Sequence, residues 1–107
     1  QQPNHDSVII ATLRKDPDAI NDYTVNFDTV LEPDGERLVS VVWTVPAGLV
    51  LGSGIYGPAI SSDGRKASLW LRNGVAGEAY TVNGHYVTDH VPAREDDVQL
   101  FIACVEA

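Results

Sequence analysis

The residues that could act as ligands or catalysts are few and scattered. Histidines occur at His5, His85 and His90, and Cys104 is the sole cysteine. His85 and His90 are five residues apart, an odd spacing that puts them on opposite faces if one strand carries both. A closed zinc site needs a full tetrahedral set of nitrogen and sulfur ligands, and this set does not supply one. Asp16, Asp18 and Asp22 could attract calcium, but the central glycine and terminal glutamate of an EF-hand loop are missing. That stretch reads as a solvated acidic turn. Arg94-Glu95-Asp96-Asp97 reads as a charge cluster at the start of a strand. Ser53 lies between Gly52 and Gly54 with no base beside it, outside any Gly-x-Ser-x-Gly elbow. No phosphate loop or dinucleotide fingerprint occurs. The expectation is a protein that is not an enzyme and uses neither metal nor cofactor.

Charge narrows the partners. Seven Lys and Arg stand against fifteen Asp and Glu, a net charge of −8. Phosphate backbones and anionic membranes attract basic surfaces, so neither nucleic acid nor membrane is expected as a partner. No apolar run reaches the roughly 18 residues that span a bilayer as a helix. A chain of 107 residues suits one domain, since a β-sandwich needs about 100. We expect residues 1–7 to form a flexible polar arm and residues 8–107 a single domain. Cys104 shares a strand face with Val98, Leu100 and Ile102, which marks it as a small core residue.

The elements follow from period-two alternation. The organising stretch runs from Lys66 to Val87. Ala67, Leu69 and Leu71 alternate there with Lys66, Ser68, Trp70 and Arg72, so the two sets face opposite sides of a sheet. Asn73-Gly74 and Ala76-Gly77 supply turn residues, and a strand opens again at Tyr80-Thr81-Val82. A tyrosine just inside a strand after such a turn fits the corner tyrosine of sandwich domains, whose hydroxyl bonds back to the turn. Asn83-Gly84 is either the tip of a two-residue hairpin or an interior point of one long strand. Upstream, Ile9, Ala11 and Leu13 form one side of a first strand, and Tyr23, Val25 and Phe27 the inner side of a second. Val39, Val41, Trp43 and Val45 line a third, and Leu49, Leu51 and Ile55 a fourth. A last strand spans about Asp96 to Val105. About seven strands with regular turn signals and no convincing helix predict an all-β, antiparallel two-sheet sandwich of immunoglobulin-like type. Val41, Trp43, Leu69, Leu71, Tyr80 and Val82 are the predicted core.

The anomaly lies on the other faces. Trp70, Leu38, Val42, Phe101 and Val105 are all out of step with the core set of their strands. Several apolar residues on sheet faces form a patch that expects a partner, so these five are the candidate protein interface. The competing readings are that the faces are exchanged, or that a loop covers them.

Three pieces of the chain resemble a known family. They are Lys15-Asp16-Pro17-Asp18-Ala19 with Asp22-Tyr23-Thr24-Val25, then Trp43-Thr44-Val45-Pro46-Ala47-Gly48-Leu49, then Leu69-Trp70-Leu71 through Gly74, Ala76-Gly77 and Tyr80-Thr81-Val82. In order and spacing they resemble the tailed-bacteriophage fiber–tail adaptors, small virion structural proteins, over nearly the whole chain. The segment from Asp89 to Asp96 departs from that pattern, which has a short Gly-Arg hairpin there. The resemblance implies a non-catalytic protein of the virion that binds tail, fiber or connector proteins, with copies associating in the particle. It transfers no binding residues. Two other readings stay open. One is a carbohydrate- or host-binding module using Trp70, Tyr56 and Tyr86, and the other is a capsid decoration protein. Because one cysteine and three scattered histidines build no closed site, chelator and reductant are expected to leave the melting temperature unchanged. A drop of several degrees with chelator would restore the acidic turn as a cation site.

Overall fold

A computed structural model describes residues 8–17 and 19–105. The expected arm at residues 1–7 and the carboxylate of Asp18 lie outside the described residues. The strands are β1 (Val8–Lys15), β2 (Asn21–Asn26), β3 (Leu38–Thr44), β4 (Leu49–Leu51), β5 (Ala59–Ile60), β6 (Lys66–Asn73), β7 (Ala79–Thr88) and β8 (Glu95–Cys104). One sheet has the order β1-β8-β7-β3, and the other has β2-β6-β4 with β5 also paired to β6. The fold is thus all-β, in two sheets of four strands each.

Three differences from the sequence expectation have plain causes. The extra strand is β5, whose two residues are too few to show alternation. The pairing is not wholly antiparallel, because β1 runs parallel to β8, and no local pattern reports a contact between the two ends of a chain. The fourth strand stops at Leu51. A 3-10 turn at Gly54–Tyr56 replaces its second half, and Ile55, expected inward, is 89% exposed.

The alternation itself slips on both edge strands of the first sheet. In β3 the register steps from Leu38 opposite Thr88 to Ser40 opposite Val87, which leaves Val39 as an extra residue. In β1 a similar shift falls between Ile9 and Ala11. An inserted residue reverses the parity of everything on one side of it. Leu38 therefore points into the core, at 6% exposure, while Val39 and Ile9 are exposed. Bulges on edge strands also spoil them as templates for stray pairing.

Between the sheets, Val25 and Phe27 from the β2 end, Leu69 and Leu71 from β6, Val82 and Tyr86 from β7, and Val98, Leu100, Ile102 and Cys104 from β8 are all buried. Of the predicted core, Trp43, Leu69, Leu71 and Val82 are buried, and Val41 and Tyr80 pack against them half-buried. The Phe27 ring meets Trp43 edge-on at 6.2 Å and Tyr86 at 5.6 Å. The Tyr80 hydroxyl accepts the Val75 N–H at 3.1 Å, the expected bond back to the turn.

β7 runs unbroken through Asn83 and Gly84. Gly84 is no weak spot. It is the shelf on which the Trp43 indole lies, since a Cβ there would sit 2.6 Å from the ring. Gly84→Ala is therefore expected to cost about 1–3 kcal/mol as overpacking. Trp43→Ala should cost about 3–5 kcal/mol, and Gly84→Ala should be nearly free in that background. A double-mutant cycle in denaturant melts measures this. Additive losses would show that the ring does not rest on Gly84.

Candidate functional site

The structure does not bring the five candidate interface residues together. Leu38 leaves the set, because the bulge at Val39 turns it into the core. Val42 on β3 and Phe101 on β8 are 62% and 37% exposed and lie on the outer face of the first sheet. Val105 is exposed just beyond the end of β8. Trp70 belongs to β6 and so to the outer face of the second sheet. Strand parity told inward from outward for Val42, Trp70 and Phe101 but failed at the bulged Leu38, and it could not tell which sheet a strand would join.

On the second sheet, pairing sets the face in rows. Asp22 on β2 lies opposite Trp70, and Val50 on β4 lies opposite Arg72. The Gly52 N–H donates to the Trp70 carbonyl at 2.9 Å, which extends the Trp70 row just past the end of β4. A Cβ on Gly52 would fall 2.4 Å from the Tyr56 carbonyl and 2.9 Å from the Trp70 Cβ. Glycine there lets the 3-10 turn fold down onto the sheet. The Tyr56 ring consequently meets Trp70 at 4.9 Å and 75°. Beside this pair opens a groove of about 670 Å³, walled by Ile20, Val50, Tyr56, Trp70 and Arg72. The Arg72 side chain has no hydrogen-bond or ion-pair partner among the described residues. Tyr86, named for sugar binding, is 4% exposed in the core and cannot serve. Ile20, Val50 and Arg72 were missed as groove residues. Only the step of two from Trp70 to Arg72 hinted at one of them.

The first sheet presents a different surface. Val42 lies opposite His85, and His85 opposite Asp97. The imidazole is held on both sides, Nδ1 at 2.8 Å from an Asp97 oxygen and Nε2 at 2.9 Å from a Glu95 oxygen. Glu95 and then Asp97 raise the His85 pKa above its ordinary 6.5. The acid cluster at the start of β8 thus holds His85, a contact that the spacing of His85 and His90 gave no sign of. Farther along the same face, Phe101 sits between Thr12 and Thr81. No group of three or more His, Cys, Asp or Glu side chains among the described residues is placed to hold a metal ion. Cys104 is a free, buried thiol.

The family model of the podophage GP4 fiber-tail adaptor protein gp77 matches residues 15–103, from the end of β1 to the penultimate residue of β8. The chain belongs to this family. No curated protein and no solved structure gives a significant match. Membership places the chain in the virion of a tailed phage, as a structural component of the fiber–tail adaptor kind. Both outer faces carry exposed apolar residues amid polar ones.

The His85 bracket has a pH signature. With its folded pKa raised, the histidine contributes stability that is complete below its ordinary pKa and is lost as pH rises through the folded value. In an NMR titration His85 is expected to titrate above about 6.5, and Glu95→Gln with Asp97→Asn should bring it back toward that value. A native midpoint at or below 6.5 would show that the bracket does not form in solution.

Proposed function

We propose that this chain is a non-catalytic adaptor that joins two neighbouring virion proteins, one on each outer face of an immunoglobulin-like domain. The observation that carries this reading is the division of the exposed apolar residues. Trp70 and its groove lie on one face, and Val42 and Phe101 on the other. Faces that point in opposite directions can hold two partners without steric conflict. A specific interface buries about 800 Å² per partner, with aromatic anchors dominating its energy. The strand orders, the parallel β1–β8 pair and the Tyr80 hydroxyl bond support the immunoglobulin-like assignment. The expected association of copies in the particle uses these same faces in this reading.

The test compares Trp70→Glu and Val42→Glu, each first shown to fold by circular dichroism, for incorporation into particles. Each is expected to fall about tenfold or more, the equivalent of roughly 1.4 kcal/mol of lost binding. Loss with only one variant would reduce the protein to a one-sided attachment. Normal incorporation of both would overturn the adaptor faces altogether.

A further inference from the structure

Building on the adaptor reading, we infer that the Trp70 groove docks an extended segment of a neighbouring virion protein that presents a carboxylate beside an apolar side chain. The argument begins with charge. In a chain of net charge −8, five other cations among the described residues are engaged: Arg65 with Asp28, Lys66 with Asp63, Arg94 with Glu36, Arg37 on the Ser62 carbonyl, and Lys15 on backbone carbonyls. Arg72 and Arg14 have no partner among the described residues, and Arg14 belongs to β1 in the other sheet. Only Arg72 borders the groove.

Its setting favours an ion pair with an incoming group. Val50 lies directly opposite on β4, and exposed Ile20 just precedes β2 on the other side. Once a partner covers these aliphatic flanks, water is excluded and a bidentate guanidinium–carboxylate pair gains strength. Trp, Tyr and Arg are also the side chains that most often dominate interface energies, and this groove holds one of each. Asp22 sits beside Trp70, opposite it on β2. It repels a second carboxylate and so fixes which way round the segment lies.

The ring geometry selects a peptide over a sugar. Saccharides stack on an open ring face, whereas Tyr56 and Trp70 meet at 75° and form a corner that suits a branched or aromatic side chain. β4 stands at the edge of the order β2-β6-β4. An extended segment laid along that edge can add main-chain hydrogen bonds to the side-chain contacts.

The experiment uses Arg72→Glu, Arg72→Lys and Trp70→Glu in whole phage, with folding checked on the purified proteins. In parallel, a displayed heptapeptide library is selected on the wild-type protein. Arg72→Glu and Trp70→Glu are each expected to lower incorporation about tenfold or more, and Arg72→Lys to fall between Arg72→Glu and wild type, because it keeps the charge but loses the bidentate fork. Selected peptides should carry Asp or Glu next to Leu, Ile or Phe and bind Arg72→Glu at least about tenfold more weakly. If Trp70→Glu blocks incorporation but Arg72→Glu does not, the groove still docks a partner and the acidic chemistry is wrong. If neither matters, the adaptor reading fails at this face as well. Binding to a glycan array that disappears in Trp70→Glu would replace the peptide with a sugar.

Discussion

Lys15 is a charge taken out of water, and satisfying it ties the two sheets together. The side chain is buried, and its ammonium donates to the carbonyls of Asp16 at 2.9 Å, Ala19 at 2.8 Å and Asn73 at 2.6 Å. A buried cation is tolerable only if its donors are met. Lys15 ends β1 in the first sheet, and Asn73 ends β6 in the second. The loop after β1 and the turn after β6 must therefore both arrive in place. The backbone at that end is held further by Val105, whose N–H bonds the Lys15 carbonyl at 2.9 Å.

The opposite end is closed in the same way with the sign reversed. Glu36 is buried, with one oxygen accepting the Glu32 N–H at 2.8 Å and the other taking the Thr88 hydroxyl and lying 3.0 Å from the Arg94 guanidinium. Burial pushes its pKa up, but the Thr88 hydroxyl, the Glu32 N–H and Arg94 together outweigh that and leave it below the usual carboxylate range. Arg65 completes the closure by donating to the carbonyls of Glu32 and Glu36, each at 2.8 Å. With both ends pinned by loops, the broad outer faces are free to meet other proteins. This suits the proposed two-sided reading, in which the fold holds two surfaces at a fixed separation.

The two surfaces differ in kind. The face of the second sheet has a shaped groove, made possible where Gly52 lets the Tyr56 turn settle on Trp70. The face of the first sheet is flatter and mixed, with Val42 and Phe101 set among threonines and the His85 bracket. In the proposed two-sided reading, different chemistry on the two sides would suit different neighbours, because specificity requires each face to reject the other's partner as well as to bind its own.

Local pattern in the sequence determined most of the strands, most of the core and the Tyr80 hydroxyl bond. Each of these depends on residues close together in the chain: the alternation around Leu69 and Leu71, or the step of five residues from Val75 to Tyr80. What the tertiary structure decided depends on partners far away. Leu38 changed sides because one inserted residue, Val39, reverses parity, and nothing in a run of apolar β-formers marks which one is extra. Trp70 and Val42 looked alike as outward residues, and only long-range pairing sent them to opposite faces. Gly84 reads as a flexible point until Trp43 is laid against it. Nothing in the sequence marks Lys15 as buried, and only the fold brings carbonyls as distant as Asn73 around it. Period-two alternation assigns a side chain to one side of its own strand, while the meeting of strands decides what that side faces.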